Sequence, residues 1–204
     1  MAEPAIFVID DQKSVREALG EMLSLFGFAV ATFDSAERFL ETFDGKRSGC
    51  VVADVRMPGM DGIELVREFG RRKLALPVVL ISGHADVAMA VAAIKAGAED
   101  FVEKPVDDAQ LVAAINRGLA RLAETQTAQR SRADLEARFA RLTPRQTEIF
   151  DLVVTGLTSH AIAAELGLST RTVESYRAEI MEKMQAESVA ALVRHAIRLG
   201  RIAP

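Results

Sequence analysis

The stretch that decides the fold is Val51-Val52-Ala53-Asp54-Val55-Arg56-Met57-Pro58-Gly59-Met60-Asp61-Gly62. The apolar run from Cys50 to Ala53 predicts a buried parallel strand, and Asp54 stands where that strand ends. Pro58-Gly59 predicts a tight turn, and the pattern Asp61-x-x-Glu64 predicts the cap of a following helix. An acid at the carboxyl end of a central strand faces the crevice where open α/β sheets bind ligands.

A second acidic site is predicted at the end of the first strand. Ile6-Phe7-Val8-Ile9 predicts another buried strand, and Asp10 and Asp11 follow it directly. If the first strand lies beside the third, Asp10, Asp11 and Asp54 meet at one switch point of the sheet. Three carboxylates there repel each other, which a hard cation such as Mg²⁺ relieves while keeping room for a phosphoryl group. One carboxylate can then act as a nucleophile and form an aspartyl phosphate.

Two later strands also end in polar side chains. Val78 to Gly83 predicts a strand that ends at Ser82, and Asp100 to Pro105 predicts one that ends at Lys104. With Phe28 to Ala31 as the second strand, five strands alternate with helices along the first part of the chain. This alternation predicts a doubly wound parallel sheet, an α/β fold.

Cap patterns predict where the helices between the strands begin. Ser14-x-x-Glu17 can form a capping box, and Asp34-x-x-Glu37 is predicted to open the next helix. An alanine-rich helix is predicted from Asp86 to Ala96. Asp107 is the predicted N-cap of a further helix that ends near Leu122.

The second part of the chain is predicted to be all-α. Residues 123–138 contain neither Gly nor Pro and predict a helical linker between a first domain, 1–122, and a second, 139–204. Four helices are predicted in the second domain. The first begins at the capping box Thr143-Pro144-Arg145-Gln146, and the last runs from Ser188 to Leu199.

The two middle helices of this second domain have the lengths of a helix-turn-helix. The shorter helix runs from Ser159 to Leu166 and is closed by Gly167, and Ser169 caps the longer one. The residues of the longer helix that are predicted to be buried are Val173, Ile180 and Met184. Those predicted on or near the opposite face are Arg171, Glu174, Ser175 and Ala178.

The acids and the two polar strand ends, taken in order, resemble the receiver domain of two-component response regulators. The resemblance covers residues from about 5 to about 122 and rests on Asp10-Asp11, Asp54, Ser82 and Lys104-Pro105. It implies a flavodoxin-like sheet of order 2-1-3-4-5 with Asp54 as the phosphoacceptor. The Mg²⁺ ligands that it implies are Asp10, Asp11, Asp54 and the backbone carbonyl of Arg56. It also implies that Ser82 and Lys104 contact the phosphoryl group and that Phe101 is an aromatic switch residue.

The second domain resembles the LuxR-type DNA-binding domain in residues 142–145 and 161–174. The whole chain therefore resembles the NarL/FixJ class of response regulators, and residues 101–105 and 194–203 are most similar to its FixJ branch. The base-contacting residues that this resemblance implies are Glu174, Ser175 and Ala178, and a glutamate can accept a hydrogen bond from cytosine N4. The candidate phosphate contacts are Arg171, Arg177 and Lys183.

These resemblances imply a phosphorylation-activated transcription regulator. A sensor histidine kinase donates a phosphoryl group to Asp54, two receivers then pair, and the dimer binds double-stranded promoter DNA, with RNA polymerase as a further partner that the resemblance allows. The candidate pairing residues are Ala88, Val91, Ala92 and Lys95. The chain is expected to take up and slowly lose the phosphoryl group on itself, without acting as a turnover enzyme.

Composition narrows the class of protein further. Half of the 204 residues are hydrophobic and tryptophan is absent, so aliphatic cores are expected. Cys50, the single cysteine, lies inside a predicted strand and is expected to be a core residue rather than a reactive thiol. Nothing in the sequence resembles a signal peptide or a membrane span, so a cytoplasmic protein is expected.

The charge is uneven along the chain and leaves two alternatives open. Residues 1–123 carry 14 Lys and Arg against 19 Asp and Glu, whereas residues 143–204 carry seven of each. An acidic first domain is compatible with a Mg²⁺-dependent phosphatase that uses an aspartyl nucleophile. A neutral second domain is compatible with a phosphate sink or a protein-binding regulator that does not bind DNA.

Overall fold

Five short strands form one parallel sheet in the computed structural model, which describes residues 4–45, 47–83 and 87–203. The strands are β1 (Ala5–Ile9), β2 (Ala29–Phe33), β3 (Gly49–Asp54), β4 (Val78–Ser82) and β5 (Asp100–Glu103). Their order is β2-β1-β3-β4-β5, and every pairing is parallel. The predicted sheet order is confirmed. β2 lies on one side of β1 and β3 on the other, so the order of the strands reverses between β1 and β3, which is where ligands bind in such sheets.

The strand register brings the polar strand ends to one edge of the sheet. Ile9 of β1 stands opposite Ala53 of β3, so the acids that follow these two residues are neighbours. Asp54 in turn stands opposite Ile81, the residue before Ser82. Ser82 stands opposite Glu103, the residue before Lys104. The polar residues at the ends of neighbouring strands therefore lie side by side.

Five helices cover the two faces of this sheet. They are α1 (Lys13–Leu25), α2 (Ala36–Thr42), α3 (Gly62–Arg72), α4 (Val87–Ala96) and α5 (Asp108–Phe139). One apolar layer joins α2, α3 and α4 to side chains such as Phe7, Val51 and Leu80, and the other joins α1 and α5 to Val52 and Val79. The three central strands β1, β3 and β4 are buried on both faces because both faces are covered, as expected for a doubly wound sheet.

The helix caps agree with the sequence in part. The capping box of Asp61 and Glu64 opens α3, and the carboxylate of Asp107 accepts the Gln110 amide at 2.8 Å, so both predictions are confirmed. The predicted capping box at Ser14 is wrong, because α1 already begins at Lys13 and its N-cap makes no side-chain bond. Ser35 caps α2 in place of the predicted Asp34.

The helix predicted to end near Leu122 instead continues to Phe139. Residues 123–138 lack the glycine or proline that would stop a helix, and their Ala, Arg, Glu and Gln favour its continuation. By its contacts the chain divides into two compact units, residues 1–124 and 125–204. The exact domain boundaries stay a prediction. The predicted start of α4 at Asp86 lies outside the described residues.

The second unit packs four further helices around an apolar core. Phenylalanines such as Phe150 here and Phe7 in the first unit are buried, so the expectation of aliphatic cores is wrong. They are α6 (Pro144–Val154), α7 (Ser159–Leu166), α8 (Thr170–Met184) and α9 (Val189–Arg198). The buried face of α8 consists of Val173, Ile180 and Met184, as predicted. None of the helices in the described part of the chain is long and apolar enough to cross a membrane.

Cys50 is fully buried in β3, and burial, followed by the negative charge of Glu99, raises the pKa of its thiol to about 12. The thiolate is the reactive form of cysteine, so we expect the folded protein not to react with Ellman's reagent at about pH 8. In concentrated guanidinium chloride the same chain should release thionitrobenzoate from its single cysteine. Rapid labelling of the folded chain would contradict the buried placement.

Candidate functional site

Two buried aspartates share one lysine at the carboxyl edge of the sheet. The Lys104 Nζ atom lies 2.9 Å from Asp10 Oδ2 and 2.6 Å from Asp54 Oδ1. Asp10 is fully buried and Asp54 is 6% exposed, whereas the side chain of Lys104 remains about a fifth exposed at 22%. Three predicted site residues, from the ends of three different strands, are therefore in direct contact.

Backbone amides hold the second oxygen of each carboxylate. The Gln12 amide donates to Asp10 Oδ1 at 2.9 Å, and the Arg56 amide donates to Asp54 Oδ2 at 2.8 Å. Each aspartate is thus fixed by one amide and one ammonium group. Arg16 adds a further clamp, because its guanidinium donates to the backbone carbonyl of Asp10 at 2.6 Å.

The two carboxylates decide the charge state of Lys104. Burial alone would lower the pKa of its ammonium group, but the hydrogen bonds and charges of Asp54 and Asp10 outweigh burial and raise that pKa above 10.5. A raised folded-state pKa stabilises the protein at every pH below the ordinary lysine value, and the contribution is lost as pH rises through the raised pKa. Lys104 is therefore cationic at neutral pH.

The other predicted site residues differ from this pair in burial and in contacts. Ser82 is buried, and its hydroxyl contacts the Met89 sulfur at 3.6 Å. Phe101 is partly buried and packs against the apolar layer that contains α2, α3 and α4. The Asp11 carboxylate is exposed, one residue beyond the buried Asp10.

The chemistry of the donors fits a hard divalent cation. Two buried carboxylates share a single ammonium group, so the pocket has an excess of negative charge that a cation would offset. Carboxylate and carbonyl oxygens are the ligands that Mg²⁺ takes in proteins. Within residues 4–45, 47–83 and 87–203, no three Asp, Glu, His or Cys side chains are grouped as a metal site, so Asp11 stands apart from the Asp10–Asp54 pair.

The helix-turn-helix forms as predicted in the second unit. α7 ends at Gly167, which has a positive φ of 64°, and the Ser169 side chain caps α8 by accepting the Thr172 amide. The four residues of α8 predicted on or near the face opposite the core are all exposed: Arg171, Glu174, Ser175 and Ala178. Glu179 and Glu182 of the same helix are exposed as well. This face is free to contact a partner, and the opposite face is core.

Two of the predicted phosphate contacts already bind other groups of the chain. Arg177 donates to the Ser159 hydroxyl at 3.2 Å, which ties α8 to α7. Lys183 donates to Gln146 Oε1 at 2.7 Å and to the Arg141 carbonyl at 3.3 Å. Both side chains therefore position α8 in addition to any role at a phosphate.

Gln146 is a bridging residue that the sequence analysis treated only as part of a cap. It is 3% exposed, accepts the Thr143 amide at 3.0 Å and donates to Glu179 Oε2 at 2.6 Å. Together with the bond from Lys183, these contacts join α6 to the exposed helix α8. The signal in the sequence was weak, because a capping-box glutamine does not reveal a partner 33 residues away.

The predicted pairing residues lie on α4. Ala88, Val91 and Lys95 are exposed and Ala92 is partly buried. Two exposed apolar neighbours that the sequence analysis did not name are Val87 at 82% and Ile94 at 51%. Ala93 is the buried residue of this helix, so α4 has a large apolar surface outside the core.

Known protein families match both parts of the chain. Residues 6–116 match the response regulator receiver domain, and residues 140–196 match the bacterial regulatory proteins of the luxR family. The transcriptional regulatory protein FixJ of Bradyrhizobium diazoefficiens is 42% identical over 197 residues, which cover 97% of this chain and 96% of that protein.

Solved structures of full length are also similar to the chain. The response regulator StyR superposes with a TM-score of 0.87 at 42% identity, over 96% of this chain and 98% of that one. Full-length FixJ from B. japonicum superposes with a TM-score of 0.61 at 41% identity, over 99% of this chain and all of that one.

Replacing Gln146 with alanine should destabilise the second unit by about 1–3 kcal/mol, because Glu179 and Lys183 lose the buried group that joins them. The fluorescence of Tyr176 reports this unit directly, since the chain has one tyrosine and no tryptophan. Urea unfolding followed at this tyrosine should shift for Gln146→Ala. The control Gln129→Ala, an exposed glutamine in α5, should unfold like the wild type; equal midpoints for the two variants would contradict the bridging role.

Proposed function

Because the chain belongs to the FixJ-like two-component response regulators, with a receiver domain ahead of a LuxR-type DNA-binding domain, we propose that phosphorylation of Asp54 controls its binding to promoter DNA. The observation that carries this proposal is the buried Asp10–Lys104–Asp54 bridge. It presents a carboxylate nucleophile beside an ammonium group that can pair with an incoming phosphoryl oxygen.

The proposed reaction is a transfer from phosphohistidine on a sensor kinase. An oxygen of Asp54 attacks phosphorus, the new O–P bond forms as the N–P bond breaks, and the imidazole of the kinase leaves with the electron pair. Bound Mg²⁺ would neutralise charge on the phosphoryl oxygens. The groups that would hold it are Asp10, Asp11, Asp54 and the carbonyl of Arg56.

The phosphoryl group competes with Asp10 and Asp54 for the ammonium group of Lys104. It adds about −2 of charge at a site where Lys104 is shared by two carboxylates. Lys104 then pairs with one phosphoryl oxygen, the Ser82 hydroxyl donates to another, and Phe101 turns inward behind Ser82. Because these contacts exist in only one of the two states, they shift the population toward it.

The proposed contacts of the phosphoryl group are strong enough to produce such a population shift. A change from about 1:99 to 99:1 needs roughly 5.5 kcal/mol of differential interaction. Charge-assisted hydrogen bonds are shorter and roughly twice as strong as neutral ones. A lysine–phosphoryl pair and a serine–phosphoryl bond, both partly shielded from water, together supply an effect of this order.

The proposed output is pairing of two receivers through α4. The candidate contacts are Ala88, Val91, Ala92 and Lys95, to which the exposed Val87 and Ile94 add apolar surface. Pairing brings two α8 helices to half-sites about one DNA turn apart. A DNA-binding domain with as many acids as bases binds weakly alone, so joining two of them raises affinity more than any single contact does.

The proposal also covers the partners and the catalytic status of the chain. The phosphoryl donor is a sensor histidine kinase and the target is double-stranded promoter DNA. The protein takes up and slowly loses a phosphoryl group on its own side chain, so no substrate is turned over. The exposed residues Arg171, Glu174, Ser175 and Ala178 are the proposed DNA-facing set on α8.

Light scattering with Mg²⁺ and beryllium fluoride, which mimics the phosphoryl group, tests the proposal. The wild-type chain of 22.1 kDa should double in mass, whereas Asp54→Asn should stay monomeric, because it lacks the carboxylate that binds the mimic. Asp54→Asn should also take up no label from a small-molecule phosphoryl donor such as phosphoramidate.

A matched pair of surface variants tests the pairing face. Val91→Glu on α4 should remain monomeric with the mimic, since it places a charge in an apolar contact. Val189→Glu is the control, because Val189 is equally exposed, 43% against 45%, but lies on α9. Dimers of Val91→Glu would move the interface away from α4, and a wild type that stays monomeric yet binds DNA would replace pairing with another activation step.

A further inference from the structure

A glutamate of α2 binds the backbone of the loop that follows Asp54. Glu37 Oε1 accepts the Met60 amide at 2.7 Å, across 23 residues of sequence. We name residues 55–61 the acceptor loop, because they join the phosphoacceptor strand to α3. Neither the predicted ligand set nor the predicted switch residues include Glu37.

The acceptor loop is fixed at both of its ends by its own residues. At the start, the Arg56 amide donates to Asp54 Oδ2 at 2.8 Å. At the end, Asp61 forms the capping box of α3, and the Gly62 amide donates to the Val55 carbonyl at 2.9 Å. Glu37 supplies the contact between these two ends, from a different helix.

The close approach of Glu37 also accounts for the glycine in the turn. Gly59 has a φ of 77°, and a Cβ atom there would lie 2.5 Å from Glu37 Oε1. A side chain at position 59 would therefore push the carboxylate away from the Met60 amide. The positive φ of Gly59 favours glycine, and a side chain there would also displace the end of Glu37 from the Met60 amide.

The helix that carries Glu37 is a firm anchor. Its Phe39 is fully buried, and its ring contacts the rings of Phe7 and Phe69 at centroid distances of 5.4 and 5.8 Å. Glu37 lies in the first turn of α2, where the helix dipole favours a negative charge. Because α2 is packed in the core, the Glu37 carboxylate holds the acceptor loop at a fixed position relative to that core.

We propose that Glu37 is a positioning residue for the phosphorylation site. By holding Met60 it fixes the acceptor loop, and so orients the Arg56 carbonyl and the Asp54 carboxylate for the cation. This inference rests on the proposed function, because it assigns Glu37 a role in that same reaction. Outer partners that orient metal ligands typically affect affinity about 10- to 100-fold.

Three variants of the full-length chain separate this role from general effects of charge or helix stability. Glu37→Ala removes the acceptor, Glu37→Gln keeps an oxygen that can accept the Met60 amide, and Glu41→Ala removes an exposed carboxylate one turn later on the same helix. The measurements are hydrogen exchange of the Met60 amide by NMR without metal, and the affinity for Mg²⁺ alone by NMR titration.

We expect the Met60 amide of Glu37→Ala to exchange about tenfold faster, since a hydrogen bond to a charged group is lost. Its Mg²⁺ affinity should fall about tenfold. Glu37→Gln should stay within about threefold of the wild type in both, because a neutral acceptor is weaker but present. Glu41→Ala should match the wild type.

Three results from the variants would overturn the inference. The first is a Glu37→Ala chain with unchanged Met60 exchange, and the second is faster exchange with unchanged Mg²⁺ affinity, which would leave only a structural contact. The third is an equal loss of Mg²⁺ affinity in Glu37→Ala and Glu37→Gln, which would assign the effect to charge. A wild type that binds Mg²⁺ but not beryllofluoride refutes phosphorylation of Asp54 and leaves the Glu37 result intact, whereas a wild type that binds no Mg²⁺ overturns both.

Discussion

The Lys104 ammonium group offsets part of the negative charge of two aspartates that share a buried pocket. Lys104 follows β5, whereas Asp10 follows β1 and Asp54 ends β3, so the bridge spans most of the sheet. Removing one partner of a buried ion pair leaves an uncompensated charge, which costs more than the pair contributes. The ammonium group of Lys104 therefore offsets buried negative charge at the position where the proposed phosphorylation of Asp54 would add more.

In the second unit, the buried group that connects charged side chains is a neutral amide. Gln146 accepts from Lys183 and donates to Glu179, so a buried amide connects a cation and an anion without being charged itself. Both charged partners belong to α8, and Gln146 belongs to α6. The angle at which α8 presents its exposed face is thus fixed by polar contacts on its inner side, in addition to the apolar core.

The strands, their order and the polar groups at their ends could be predicted because each depends on local pattern and on the rule for the switch point. The apolar runs at Ile6 and Val51 have no other stable environment than a covered sheet. The sequence could not predict Glu37 or Gln146 as bridging residues, because their partners are 23 and 33 residues away and the bonds depend on exact helix placement. The prediction of a capping box at the start of α1 was wrong, because several polar residues in one short run can each begin a helix.

The few buried side chains of α4 have a consequence for how easily this helix separates from the sheet. Ala93 is the side chain that this helix buries, whereas α3 buries Leu65, Val66 and Phe69. Met89 and Ala96 of α4 also pack against the core, but they are only partly buried, so we expect α4 to open at a lower free energy than α3. A substitution at Ala93 would therefore change how often α4 opens. It would do so while leaving the acidic pocket and α8 unchanged.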